Sequence, residues 1–127
     1  MNKKEYTEVL NNLLDNGIEG LSQSDTVRYT KEILIKYEKK KADLLWEKEN
    51  YKKSWTDDEL KVVLSTAPTE ENILLMAKGF KRGTGSIELI YRWASTPQYV
   101  IKDRNKDDVN FIKQIKRVAK EIGWRGF

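Results

Sequence analysis

Acid–base chemistry in this 127-residue chain would have to rest on carboxylates and lysines, because the sequence contains neither histidine nor cysteine. The absence of cysteine excludes disulfides, thiolate metal sites and cysteine nucleophiles. The absence of histidine excludes histidine-dependent zinc sites, Ser-His-Asp triads and HNH-type nucleases, and it removes the usual general base near neutral pH. A binding protein inside the cell is therefore the simpler expectation.

One cluster of charged residues has the composition of a metal-dependent nuclease site. Asp43, Glu47 and Glu49 lie close together in the sequence around Lys48. Such a nuclease places an Asp and a Glu-x-Lys on adjacent strands, whereas this segment is predicted to be helical, so we expect a solvated charged face. The Walker lysine and dinucleotide-binding glycine patterns are also missing. We therefore expect no enzyme, no metal and no cofactor.

Basic residues are concentrated in the C-terminal part of the chain. The sequence has 24 basic and 20 acidic residues, a net charge of +4. Residues 1–53 contribute +1, residues 54–77 contribute −4 and residues 78–127 contribute +7. A concentrated basic region is expected of a protein that binds nucleic acid. A solvated lysine-rich face, common in proteins from AT-rich genomes, is the other interpretation.

Residues 1–53 are predicted to form an N-terminal helical hairpin with one long helix. Apolar residues recur at helical spacing before Gly17, which is expected to end the first helix. The second predicted helix runs from about Asp25 to Lys52, because this stretch contains neither glycine nor proline. We expect its first half to pack against the first helix, and its second half to reach the C-terminal domain or a second copy. The hairpin is also expected to mediate dimerisation.

Residues 54–127 are predicted to form a domain of short, well-punctuated helices. Thr56 and Glu59 have the spacing of a capping box, and Pro68 separates a helix over about 56–66 from one over about 69–79. A glycine-containing turn precedes a third helix over about 84–96, which Pro97 ends. Thr84 is expected to cap the third of these. A polar loop over 102–108 should precede a last basic helix from about Asp107 to Ile122. The predicted fold class is therefore all-α.

Residues 54–96 resemble a known DNA-binding module. Trp55-Thr56-Asp57-Asp58-Glu59-Leu60, Ile73 to Ala77, and Arg82-Gly83-Thr84-Gly85-Ser86-Ile87 are similar to the three helices of Myb/SANT-like (homeodomain-like) helix-turn-helix repeats. The resemblance implies a tri-helical fold whose third helix enters the major groove of DNA. SANT-like domains also bind protein tails, so the resemblance is compatible with either ligand.

The predicted DNA-binding residues lie on the third helix, at its start and on the last helix. Side chains near the start of a recognition helix contact base edges, and neighbouring cations contact phosphates. The last helix presents an apolar face for packing and a basic face for phosphates. The full set is Lys78, Lys81, Arg82, Thr84, Ser86, Arg92, Lys113, Lys116, Arg117 and Lys120.

We therefore predict a double-stranded DNA-binding protein of bacterial or phage type, acting as a homodimer. It would be a transcriptional regulator or a phage accessory protein for DNA packaging or replication, located in the cytoplasm, since no apolar run approaches the roughly 20 residues that span a membrane. The alternative is a phage-derived inhibitor or adaptor that binds a protein partner through Leu89 and Trp93. An exposed Trp93 favours this alternative, whereas a Trp93 packed within the chain removes its main support.

Overall fold

Every regular element in the part of the chain that the structure describes is helical, which confirms the all-α prediction. The computed structural model describes residues 1–125, except for the side chain of Asp43. The helices are α1 (Lys3–Asn16), α2 (Gln23–Lys40), α3 (Ala42–Leu45), α4 (Asp57–Leu64), α5 (Glu70–Gly79), α6 (Thr84–Ser95), α7 (Gln98–Asp103) and α8 (Asn110–Ile122). The chain divides into two compact units, Met1–Lys40 and Lys41–Phe127. Among the described residues, no helix is long and apolar enough to cross a membrane.

The first unit is an antiparallel hairpin of α1 and α2. The Asn2 side chain caps α1 by accepting the Glu5 N–H at 2.8 Å, and Gly17 ends the helix with φ of 72°. Thr26, only 2% exposed, fastens the connection because its hydroxyl donates to Ser22 O and accepts the Ile18 N–H. Most apolar side chains of this hairpin nevertheless remain exposed.

The prediction of one helix from Asp25 to Lys52 is wrong beyond Lys40, where α2 ends. The single turn of α3 follows, and then Trp46 adopts an extended conformation. The indole N–H of Trp46 donates to Arg82 O at 3.0 Å, and the Asn50 side chain donates to Phe80 O at 2.8 Å. These tertiary contacts override helix propensity, which is a weak preference. For the same reason, the boundary between the units lies after Lys40, earlier than the expected residue 53.

The second unit is built around α6, which packs against α4, α5 and α8. Large aliphatic side chains from all four helices form its core: Leu60, Val63, Leu64, Ile73, Met76, Ile87, Ile90, Ile115 and Val118. The capping box at the start of α4 is confirmed, since the Thr56 hydroxyl accepts the Glu59 N–H and the Glu59 carboxylate accepts the Thr56 N–H.

Three local predictions in the second unit are wrong. Gly83, and not Thr84, is the N-cap of α6. The expected loop over 102–108 begins inside the short helix α7. Burial of Ile101, which is fully shielded from solvent, stabilises this helix. The last helix begins at Asn110, later than Asp107.

Tyr91 joins the middle of α6 to the end of α4. Its ring is buried, and its hydroxyl lies 2.6 Å from both Val63 O and Thr66 O. A buried hydroxyl is stabilised by such acceptors and would be costly without them. Burial raises the pKa of Tyr91 from 10.0 to about 12, because the phenolate is poorly solvated there.

Replacing Tyr91 by phenylalanine should lower the free energy of unfolding by about 1–3 kcal/mol, because the buried Val63 carbonyl and the part-buried Thr66 carbonyl lose their hydroxyl partner. Urea unfolding followed by circular dichroism measures this. Tyr99→Phe is the matched control, since Tyr99 is 70% exposed.

The wild-type protein should also lose stability as the pH rises above 10.0, through the folded-state pKa of about 12, because only the unfolded Tyr91 then ionises readily. This alkaline loss should be smaller in Tyr91→Phe. Equal stabilities of the two variants at neutral pH would contradict the assignment.

Candidate nucleic-acid interface

Two neighbouring cavities of about 470 and 660 Å³ flank the start of α6, and we call them together the α6 groove. They share Tyr51 and Ser86 as lining residues. The groove is lined by Lys48, Tyr51, Lys52, Lys53, Ser54, Trp55, Arg82, Gly83, Gly85, Ser86, Leu89, Asn110, Phe111 and Gln114. Among the residues that the structure describes, this lining contains three lysines and one arginine but no carboxylate, so its electrostatic character is basic.

Two helices begin at this groove. Ser86 lies in the first turn of α6, and Asn110 and Phe111 begin α8. Within the described residues, no side chain caps either helix, and neither first turn contains an acidic residue. The first N–H groups of a helix have no partner within it, and the helix dipole makes that end partially positive. Both helix starts therefore favour an anion in the groove.

Arg82 holds the groove together from the inside. Its guanidinium donates to Lys53 O at 2.7 Å and to Ser54 O at 3.2 Å, and it stacks on the Trp55 ring at 3.9 Å. Burial lowers the pKa of Arg82, and nearby Glu59 opposes this change. Arg82 is only 3% exposed, so its charge is used within the fold, and its predicted contact with DNA stays a prediction.

Lys116 is likewise occupied within the fold. Its ammonium donates to Ala94 O at 3.1 Å and to Thr96 O at 2.7 Å, at the C-terminal end of α6. A cation is favourable there because the last carbonyls of a helix lack backbone partners. Partial burial lowers the pKa of Lys116. Lys116 therefore does not offer the phosphate contact that the sequence predicted.

Arg117 forms a two-pronged ion pair with Asp57. Both terminal nitrogens of Arg117 lie 2.9 Å from the Asp57 carboxylate, and one of them also lies 3.2 Å from Glu121. Hydrogen bonds from Arg117 and then Gln114 lower the pKa of Asp57 to about 2, and the same pairing raises the pKa of Arg117. Arg117 thus connects α8 to the start of α4. The carboxylates of Asp57 and Glu121 already pair with its guanidinium, which the sequence predicted to bind phosphate.

The other predicted polar contacts lie at or near the surface. Lys78, Arg92, Lys113 and Lys120 are exposed, on α5, α6 and α8. Lys81 is exposed as well, and its ammonium lies 3.2 Å from the Glu49 carboxylate. The two remaining residues, Thr84 and Ser86, are half-buried in the first turn of α6. The structure thus brings Ser86 to the groove. The exposed cations that the sequence predicted, Lys78, Lys81, Arg92, Lys113 and Lys120, lie outside its lining.

Leu89 and Trp93, the predicted protein-binding pair, occupy different environments. Leu89 is half-buried and lines the α6 groove. Trp93 is half-buried and packs against the hydrophobic core. Its ring therefore contributes to the stability of the second unit and is not presented as an exposed anchor.

Sequence reasoning missed the cations that line the groove, namely Lys48, Lys52 and Lys53. They were assigned to a long solvated helix because the segment lacks glycine and proline. A signal was available in the pattern Lys52-Lys53-Ser54-Trp55, where two lysines directly precede a tryptophan and a capping box. The left-handed conformation of Lys52, with φ of 65°, had no sequence signal, since lysine rarely adopts it.

Comparison with known proteins identifies the family. The family described as "Uncharacterised protein PM1205 C-terminal domain" matches residues 49–126. The chain is also 38% identical over 125 residues to "Uncharacterized protein PM1205" from Pasteurella multocida (strain Pm70), covering 98% of this chain and 99% of the relative. The chain therefore belongs to this family. No solved structure matches it.

Lys116→Met should lower the free energy of unfolding by about 1–2 kcal/mol, because the carbonyls at the end of α6 lose a charged donor. Lys113→Met, an exposed position on the same helix, should change it by less than about 0.5 kcal/mol. Urea unfolding at neutral pH compares the two variants. Equal effects would show that Lys116 does not act as the cap of α6.

Proposed function

We propose that this protein binds double-stranded DNA through α6, with the α6 groove holding backbone phosphates. The observation that carries the proposal is the groove itself, in which two helix starts without a side-chain cap meet Lys52 and Lys53, and none of the described lining residues is acidic. Phosphate is the anion that DNA presents repeatedly, and helix starts and lysines are common ligands for it.

The distribution of charge between the units supports the same function. Residues 41–127 contain 17 basic and 13 acidic residues, so they carry the whole net charge of +4, whereas residues 1–40 contain seven of each. Several of the basic residues in the second unit are already paired, as Arg117 is with Asp57. A moderate positive surface suits salt-sensitive binding of a duplex.

The outer face of α6 is suited to a DNA groove. Gly85 is exposed, and a β-carbon placed there would meet no atom within 4 Å, so the helix backbone can approach a ligand closely. Arg92 lies two turns further along and is exposed, where it can contact a guanine edge or a phosphate. In this proposal α4, α5 and α6 act as a helix-turn-helix, and Thr84, Ser86, Lys78, Lys81, Lys113 and Lys120 provide flanking contacts.

The proposed biological setting is a bacterial or phage-infected cell, where the protein would act in the cytoplasm as a regulator or as an accessory in DNA packaging or replication. The second candidate function, an inhibitor or adaptor that binds a protein through Leu89 and Trp93, is weaker because the Trp93 ring packs against the core. Leu89 alone is too small an anchor for a stable interface.

The groove lysines can be tested by titrating protein into a fluorescein-labelled random duplex at two salt concentrations. Fluorescence anisotropy measures the binding. Wild-type protein should bind in the micromolar range at low salt and weaken steeply as salt rises. Lys52→Gln/Lys53→Gln should weaken binding and reduce the slope of log affinity against log salt by about 2, since two phosphate contacts are lost.

Lys102→Gln/Lys106→Gln is the control, because it removes the same charge from exposed positions outside the groove lining. It should retain most of the affinity. Equal losses in the two double variants would mean that net charge, and not the groove, accounts for binding. Folded wild-type protein that fails to bind at low salt would refute the proposed function.

A second prediction separates binding from stability at Gly85. Gly85→Glu should weaken DNA binding at least about tenfold, because a carboxylate in the first turn of α6 repels phosphate. The same change should leave stability unchanged or raise it, since glutamate suits a helix start better than glycine. Gly85→Ala is the control, because it adds a side chain without charge, and it should weaken binding much less than Gly85→Glu. Full DNA binding by a folded Gly85→Glu variant would contradict the proposed position of the phosphate.

A further inference from the structure

The N-terminal hairpin exposes far more apolar surface than a stable isolated unit would. Eleven large apolar side chains between positions 6 and 37 are exposed: Tyr6, Val9, Leu10, Leu13, Ile18, Leu21, Val27, Tyr29, Ile33, Leu34 and Tyr37. No residue of α1 is buried, and Thr26 is the buried residue of α2. A two-helix hairpin of this kind needs further helices against its apolar face.

Nine of these side chains form stripes along the two helices, and Ile18 and Leu21 lie in the connection between them. On α1, Tyr6, Val9 and Leu13 follow each other at intervals of three and four residues. On α2, Tyr29, Ile33 and Tyr37 lie at intervals of four residues, and Val27, Thr30 and Leu34 widen that stripe. The opposite face of α2 is charged, with residues such as Arg28, Glu32, Lys36 and Lys39. Both helices are therefore amphipathic, and their apolar sides remain uncovered.

The exposed apolar area is sufficient for a stable interface. The eleven side chains together expose on the order of 1,000 Å² per chain, while each partner in a standard stable complex contributes about 800 Å². Continuous apolar patches of this size are uncommon on monomers and indicate association.

Charge indicates that the partner is a second copy of the same hairpin. The turn end, residues 12–27, contains Asp15, Glu19 and Asp25 and no basic residue, so its formal charge is −3, and the adjacent Arg28 lies 3.7 Å from Asp25. The open end, residues 3–7 and 32–40, contains five lysines and three glutamates, so its charge is +2. The hairpin as a whole is neutral, and its two ends have opposite signs.

We propose that two chains associate through their N-terminal hairpins as an antiparallel four-helix bundle. A two-fold axis across the helices would place the turn end of each hairpin beside the open end of the other, so opposite charges meet twice. A parallel pairing would place −3 beside −3 and +2 beside +2. The apolar stripes of α1 and α2 would form the bundle core. This inference is independent of DNA binding.

The first experiment measures the mass of the full-length protein by sedimentation equilibrium across the micromolar range. Wild type should be a dimer. Ile33→Asp should be monomeric, because it places a carboxylate in the bundle core. Leu75→Asp is the matched control, since Leu75 is an exposed leucine on α5 in the second unit, and it should remain a dimer. Circular dichroism confirms that each variant keeps its helices.

The second experiment tests the antiparallel arrangement with two charge reversals on the surface. Asp15→Lys/Glu19→Lys changes the turn end from −3 to +1, and Lys36→Glu/Lys40→Glu changes the open end from +2 to −2. Each variant alone should dimerise about tenfold more weakly than wild type. An equimolar mixture should recover the dimer as a heterodimer, because both pairs of ends are then again opposite in charge.

The outcomes are distinguishable from each other. A wild-type protein that stays monomeric throughout the range overturns the proposal, and a different protein would then have to cover the stripes. A dimer that survives Ile33→Asp overturns the hairpin as the interface. Tighter dimerisation of Asp15→Lys/Glu19→Lys overturns the antiparallel arrangement. In a parallel bundle the two negative turn ends lie side by side, so this double substitution would reduce the repulsion between them. Failure of the dimer and failure of the proposed function are distinguishable, because a protein can lose DNA binding and remain a dimer, or lose the dimer and still bind DNA.

Discussion

The buried guanidinium of Arg82 is the interaction on which the second unit depends most. A charged group can be tolerated inside a protein when hydrogen bonds and nearby charges replace its hydration. Here the carbonyls of Lys53 and Ser54 and the ring of Trp55 surround it, and the Glu59 carboxylate lies 4.0 Å away. Through these contacts the segment before α4 is fastened to the turn before α6. The α6 groove exists because those two pieces of chain are held side by side.

Helix α6 is held at several points by the rest of the second unit. Helices α4, α5 and α8 pack against it, Tyr91 connects it to the end of α4, and Lys116 satisfies carbonyls at its C-terminal end. Its N-terminal turn is left without a side-chain cap among the described residues. A helix that is fixed at one end and electrostatically unsatisfied at the other is a rigid support for an anionic ligand. The first unit is not held together by a comparable core. The hairpin of α1 and α2 buries little apolar surface of its own and exposes a large amount of it.

The fold was more predictable than the candidate site. The all-α class, the capping box at Thr56 and the apolar face of α8 follow from local patterns, because caps and helical periodicity act within a few residues. The end of α2 at Lys40 was not predictable in this way, since residues 41–55 contain no helix breaker. Hydrogen bonds from Trp46 and Asn50 to the turn at 80–82 decide their conformation, and those partners lie some 30 residues away in the sequence.

Composition and local pattern alone are enough to predict a helical chain, to exclude histidine and cysteine chemistry, and to locate the positive charge in the C-terminal part. They could not determine which of the cations are available to a ligand. Arg82, Lys116 and Arg117 are indistinguishable in type from exposed cations, yet the tertiary structure gives their hydrogen bonds to carbonyls and carboxylates of the fold. The sequence pattern predicted that Lys52 ends a long helix, whereas the structure places Lys52 and Lys53 in the lining of the α6 groove. The physical reason is that a charge is available only where folding has not already paired it, and pairing depends on contacts between distant residues.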